Sequence, residues 1–204
     1  MLRACAARLQ RLSTARRARA VLLQGDFRAL PLVEERFPLI LCPFNAFMHL
    51  YERTDVERCL AEVRRLLRPG GMFALDVLNP DVTWLGRDPL KRWARTRFRH
   101  PETGEAIIYS TSHLYDAARQ VAFIRIFYDP GDPAAATKAG GQGVQNVHRG
   151  RSRLVNLAHR QFFPAELSAL LHYNGFEVTR RLGGFDGEAF DHSSVEQVIC
   201  ARVR

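Results

Sequence analysis

Apolar positions are patterned most clearly between Phe37 and Pro80. Phe37-Pro-Leu-Ile-Leu-Cys-Pro43 is a short apolar run closed by proline, as a buried parallel strand would be. Val56, Leu60, Val63 and Leu67 recur at helical spacing and give one apolar face. Thr54-Asp-Val-Glu57 has the spacing of a capping box, and Arg64, Arg65 and Arg68 crowd the last turn, where cations suit the helix dipole. Pro69-Gly70-Gly71 should stop this helix. Met72 to Val77 is then a second buried strand, ended by Asn79-Pro80. Strand, helix and parallel strand make a right-handed crossover in an open α/β sheet. Such sheets bind ligands beyond the carboxyl ends of their strands, which here are Cys42 to Asn45 and Asp76 to Asn79.

On either side the pattern changes. Ala20-Val-Leu-Leu-Gln24 reads as another strand, ending at Gly25-Asp26. Upstream, Met1 to Ala20 is rich in arginine and has no acidic residue. That composition suits a targeting peptide. It equally suits a helix with Leu2, Cys5, Ala6, Leu9 and Leu12 on one face, and the helix is the preferred reading. Downstream, Ile107 to Tyr115 and Val121 to Tyr128 are rich in β-branched and aromatic residues and read as a hairpin. Ser152 to Phe163 is a third antiparallel strand, and the Gly-, Ala- and Pro-rich stretch from Asp129 to Gly150 is a surface loop. Pro164 opens a helix that Gly175 ends. Phe176 to Leu182 and Val195 to Val203 close the chain as strands.

Gln24-Gly25-Asp26-Phe27, Leu39-Ile-Leu-Cys-Pro-Phe-Asn45, Leu66-Leu-Arg-Pro-Gly-Gly71 and Leu75-Asp76, in that order, resemble the class I S-adenosylmethionine-dependent methyltransferases. The likeness is to the small-molecule branch, with an antiparallel insert after the fifth core strand, and it runs over most of the chain. It implies an α/β, Rossmann-like sheet that lacks its first two strands and carries an inserted antiparallel β subdomain. The whole chain, 1–204, is expected to be one domain, with core segments 1–80 and 164–204 around an insert at 81–163. The resemblance also implies roles. Asp26 would accept from the adenine amino group of S-adenosylmethionine, and the Phe27 backbone N–H would meet a ring nitrogen. Cys42, Pro43 and Phe44 would face the cofactor's methionine part. Asn45, Met48, His113 and Tyr115 would lie toward the acceptor. His49 is the candidate acid–base group. Trp84, Trp93, Arg97 and His159 are further acceptor-side candidates, although packing within the insert is the more common use of such residues.

One departure stands out. If Met1 opens the family's helix after the second strand, the glycine loop and the ribose-binding carboxylate of the first two strands are missing. Gly141-Gln142-Gly143 has the glycine spacing but follows no predicted strand and precedes no helix. The expectation is therefore a start placed late, or a remnant of a longer ancestor.

Charge alters this picture little. The net charge is +9, but only Lys91 and Lys138 are lysines, and no basic stripe alternates with aromatics. Nucleic acid is therefore not expected as a partner, and neither is a membrane, since no run approaches the ~18 apolar residues of a span. The four cysteines are scattered, without a Cys-x-x-Cys pair, which fits reduced thiols in a cytoplasmic protein and no metal site. Two functions compete. One is methyl transfer to a small-molecule acceptor. The other is a non-catalytic methyltransferase-like subunit that binds a partner through an open sheet edge. The inserted sheet would cover the acceptor or form a homodimer contact.

Overall fold

A computed structural model describes residues 2–131 and 152–204. The glycine pair at 141 and 143 and most of the expected surface loop lie outside these residues. The chain runs α1 (Leu2–Gln10), α2 (Thr14–Arg17), β1 (Phe37–Cys42), a 3-10 helix (Ala46–His49), α3 (Arg53–Leu66), β2 (Leu67–Leu78), α4 (Val82–Leu85), β3 (Trp93–Arg99), β4 (Ala106–Asp116), β5 (Val121–Pro130), β6 (Arg153–Arg160), α5 (Pro164–Tyr173), β7 (Phe176–Leu182) and β8 (Glu196–Val203).

The predicted crossover is present. β1 and β2 are parallel, and β2 pairs on its other edge with antiparallel β8, which pairs with β7. The sheet order is β1-β2-β8-β7. Helix α3 buries Val56, Cys59, Leu60, Val63 and Leu66, as its spacing predicts. Phe73, Leu75 and Val77 of β2, Leu167 and Leu171 of α5, and Ile199 and Ala201 of β8 complete the core with Phe47 and Met48. A second sheet, antiparallel and ordered β3-β4-β5-β6, forms the expected insert.

Several local expectations need correction. Ala20 to Gln24 has no regular secondary structure and pairs with no strand among the described residues, and Val21 is 89 % exposed. A strand needs a hydrogen-bonding neighbour, and among the described residues this segment has none. β1 is an edge strand rather than a buried one: Ile40 and Cys42 pack toward the core, while Leu39 and Leu41 are exposed. The capping box does not form. Glu52 is the N-cap of α3 and makes no side-chain cap bond; Thr54 already lies inside the helix, so its hydroxyl is in the wrong place to cap. Glu57 instead pairs with Arg53, one turn back. Pro69-Gly70-Gly71 does not separate helix from strand, because α3 ends at Leu66 and β2 begins at Leu67. The three residues form a bulge across which the β1–β2 register jumps from Phe37↔Leu67 to Leu39↔Met72. A Cβ on Gly71 would come within 3.0 Å of the Phe37 carbonyl oxygen, so only glycine fits this close approach. β3 was not anticipated. It is a mostly exposed edge strand whose Arg95, Arg97 and Arg99 mask its short apolar signal.

The two sheets meet around the 3-10 helix. Phe47, fully buried there, packs against Phe73 of β2 at 6.5 Å and Phe162, just past β6, at 5.2 Å between ring centroids. Gln197 of β8 donates from its amide to the Phe162 carbonyl at 2.8 Å.

Candidate functional site

The carboxyl end of β1 is a tight loop. Phe44 and Asn45 both adopt left-handed backbone, with φ of 61° and 56°. Two consecutive non-glycine residues in this region carry strain, which persists only when the surroundings hold it. The buried Asp76 carboxylate of β2 does so, accepting from the Asn45 N–H at 2.9 Å. The same carboxylate, after burial, pushes the half-buried Cys42 thiol up to about 11, so it stays protonated and is no nucleophile.

An open cavity of about 630 Å³ is lined by Gln24 to Arg28, His49 to Tyr51, and Asp55; Cys42 to Asn45 are not among its lining residues. That volume lies within the usual range for small-molecule sites. One wall is the segment after the unpaired stretch, which is held to α3 from two sides. Glu62 accepts from the Leu30 N–H at 2.9 Å, while Arg65 donates to the Leu30 and Leu32 carbonyls and pairs with Glu62. Arg28 then joins the wall to the start of α3. Its guanidinium holds both Asp26 carboxylate oxygens, at 2.7 to 3.1 Å, and reaches Asp55 at 2.6 Å. Hydrogen bonds from Arg28 bring Asp26 down to about 2, so it is ionised at neutral pH.

The opposite wall is the end of the 3-10 helix. His49 is exposed, and its Nδ1 lies 3.4 Å from the Tyr51 hydroxyl, which donates to the Ala158 carbonyl of β6 at 3.1 Å. Its ring meets His159 of β6 edge-on, with centroids 5.1 Å apart. Burial, then the charge of His49, lowers the half-buried His159 below the ordinary imidazole range.

Of the residues singled out from sequence, Asp26, Phe27 and His49 line the cavity together. Cys42, Pro43, Phe44 and Asn45 form the strained loop at the end of β1. Met48 is a correction: its side chain is fully buried in the core and has no acceptor-facing surface. His113 is 1 % exposed, stacked on Trp84 at 3.7 Å, and its Nε2 lies 2.5 Å from the Trp84 carbonyl. Tyr115 is directly opposite Ala122, and Ala122 directly opposite His159. Cross-strand partners share a face, so Tyr115 and His159 lie on one face of the inserted sheet, two strands or about 10 Å apart. Arg28, Tyr51 and Asp55 were missed. Arg28 had a signal, a cation two residues after a candidate carboxylate; Tyr51 and Asp55 had none.

Among the described residues no three His, Cys, Asp or Glu side chains are grouped to hold a metal ion. No helix among them is long and apolar enough to cross a membrane.

The fold of the chain is that of the class I S-adenosylmethionine-dependent methyltransferases. Residues 1–71 match the family described as "Methyltransferase domain". The CcbJ methyltransferase from Streptomyces caelestis superposes with a TM-score of 0.66 at 23 % identity, over 88 % of this chain and 62 % of that one. CalS10, an amino pentose methyltransferase from Micromonospora echinaspora, gives 0.60 at 18 % identity over 88 % and 63 %. The glycopeptide N-methyltransferase MtfA, complexed with S-adenosylmethionine, gives 0.61 at 20 % identity over 100 % and 68 %. No curated protein matches the chain. The chain thus spans under two thirds of the length of the first two of these structures.

Proposed function

We propose that the chain supplies the adenine and acceptor sides of a methyltransferase site that transfers a methyl group from S-adenosylmethionine to a small molecule. The observation that carries this reading is the cavity where Asp26, Phe27 and His49 meet. The residues present fit the cofactor. Asp26 is an ionised acceptor at the cavity wall, and the Asn45 side-chain oxygen is buried without a partner among the described residues. When bound, the group supplies a methyl already activated on a sulfonium, so the protein's work is positioning and exclusion of water. Asp26 binds and orients the adenine, with Arg28 fixing its carboxylate. The loop from Cys42 to Asn45 presents backbone to the methionine part. His49 holds the acceptor's proton. Asn45 and, across the insert, Tyr115 complete the acceptor side, while His113, buried against Trp84, packs within the insert and has no acceptor-facing surface.

The chain acts as one domain with the insert covering the acceptor, in the cytoplasm, without nucleic acid or membrane; contact between two copies through the insert is part of the same proposal. The CalS10 and MtfA names, an amino pentose and a glycopeptide nitrogen, support an amine acceptor. The test is an NMR titration of the 204-residue chain with S-adenosylhomocysteine. Amide shifts confined to residues 24–28 and 43–51, at affinity weaker than micromolar, are expected. The weak affinity follows from the lack of a glycine loop at a strand end in this sequence. No shift at millimolar ligand would overturn the assignment.

A second reading rests on β1. Its outer edge is unpaired among the described residues, and Leu39 and Leu41 are 47 % and 61 % exposed, which supports a subunit that docks a partner strand there. Protection of the β1 amides from exchange only when a partner is added would favour it.

A further inference from the structure

The amino ends of β1 and β2, opposite the strand ends described above, border a second concavity. This cleft of about 600 Å³ is lined by Arg64 and Arg65 of α3, Arg68 and Gly70 of the bulge, Glu35 before β1 and Arg204 after β8. Asp55, in the first turn of α3, lines the cavity, and Arg64 follows nine residues on. At 1.5 Å per residue they stand about 14 Å apart along the helix, so a group held at the cleft is not the one held at Asp26.

Two ordinary duties of arginine are already met here by other groups. Cations commonly satisfy the last carbonyls of a helix. In α3 the Arg65 and Leu66 carbonyls accept instead from the Glu35 and Arg36 backbone N–H groups, at 2.9 and 3.0 Å. Cations also pair with carboxylates. Glu62 is taken by Arg65, and the Arg204 guanidinium donates to the His172 carbonyl. The guanidiniums of Arg64 and Arg68 keep no ion pair or hydrogen bond among the described residues. Arg64 is nevertheless held in place. Gly175, with φ of 83°, lets it lie against the turn after α5, where a Cβ would come within 3.0 Å of Arg64 Nη1. Around the cleft four arginines therefore face Glu35 and Glu62.

We propose that this cleft is a binding site for the diphosphate or triphosphate group of a small organic anion, with Arg64 and Arg68 as its donors. A guanidinium fork matches two phosphate oxygens, which an ammonium cannot do. Two unengaged forks, one on α3 and one on the bulge, ask for two phosphate groups in series. The cleft is concave and of small-molecule size, whereas a nucleic-acid backbone would need a basic track longer than this. The site is independent of the methyltransferase reading, since none of its residues lines the cavity at Asp26.

Titration of the 204-residue chain with inorganic pyrophosphate at low salt, followed by calorimetry and amide NMR, tests this. Saturable binding at one site is expected, with shifts centred on residues 64–71, and orthophosphate should bind more weakly because it reaches one fork only. Arg64→Gln and Arg68→Gln should each weaken pyrophosphate roughly fivefold, the size of one ion pair at an open surface, and together should abolish it. Arg68 is exposed, so its variant should keep the wild-type melt even if Arg64→Gln loosens the turn at Gly175. Arg125→Gln removes an exposed charge from β5, outside the cleft, and should leave the affinity unchanged. Equal losses in Arg125→Gln and Arg68→Gln would show diffuse attraction to a chain of charge +9 and overturn the site. Shifts centred on residues 24–28, or no binding at millimolar pyrophosphate, would overturn it as well.

Discussion

At the scale of single residues, the site depends on how a carboxylate is held. Asp26 was expected to meet adenine directly, and the structure adds that Arg28 grips both its oxygens and ties it to Asp55. An arginine fork fixes a carboxylate's plane better than a lysine can. Asp26→Ala is therefore expected to weaken S-adenosylhomocysteine binding roughly tenfold or more, as loss of a charge-assisted hydrogen bond does. Arg28→Lys should weaken it less, by loss of orientation alone. Both variants should keep the wild-type melting profile, since these side chains sit at an open surface. Calorimetry with each variant checks the order, and an Arg28→Lys chain that binds worse than Asp26→Ala would reverse the assigned roles. Asp26 could be found in the sequence because it stood next to Gly25 at the end of an apolar run. Tyr51 and Asp55 could not be given roles, because each acts through a partner brought near only by the fold, Ala158 for Tyr51 and Arg28 for Asp55; Arg28 had its signal in Asp26, two residues back.

At the scale of elements, the sequence was most legible where one period dominates. The α3 face and β2 lie where Val56, Leu60, Val63 and Met72 to Val77 put them. It was least legible where pairing decides the outcome. Ala20 to Gln24 has the composition of a strand but no neighbour among the described residues, so composition alone misled. β3 has a neighbour, β4, and becomes a strand despite three arginines. Met48 was misread because the sequence cannot show which way a single 3-10 turn faces. That turn is also the element that fastens the insert to the core, through Phe47 between Phe73 and Phe162. Phe47→Ala should therefore cost about 3–5 kcal/mol, and denaturant unfolding should show it. If the cost is under about 1 kcal/mol, the insert does not depend on this ring. A second element-scale outcome concerns pH. Hydrogen bonds from Arg65 lower the Glu62 carboxyl below its ordinary value, against some burial. A carboxylate lowered in the folded chain stabilises it above the unfolded value, near 4.5, and loses that contribution as pH falls through the folded value. The stability difference between wild type and Glu62→Gln should thus be full at pH 6 and shrink toward pH 3. A constant difference would show that the carboxylate's charge contributes nothing to holding residues 30–32.

At the scale of the whole molecule, apolar surface is unevenly covered. The core is closed over the helix: Leu60 is fully buried and Val63 nearly so. What stays open is one side of the sheet edge. Leu39 and Leu41 on β1 are exposed, and Val21, Leu22, Leu23, Val33 and Phe44, all on the chain segments flanking β1, are exposed too. No residue of α1 or α2 is buried. An unpaired edge offers free backbone groups as well as apolar side chains, the combination that recruits a further strand. Pro38 has no donor to offer, and because N–H groups alternate between a strand's two edges only part of the Leu39 to Leu41 set faces outward. The isolated chain should therefore self-associate in a concentration-dependent way despite its charge of +9, since mixed backbone and apolar contact at one edge is only partly opposed by repulsion spread over the surface. Higher salt should strengthen the association by screening that repulsion. A Leu39→Lys, Leu41→Lys double variant should be monomeric, because edge lysines block pairing and both side chains already face solvent, so the core need not change. Sedimentation velocity across a tenfold concentration range, with a thermal melt of each chain, decides the matter. A wild-type chain that stays monomeric at high salt and melts cooperatively would show that the β1 edge is adequately covered by water alone.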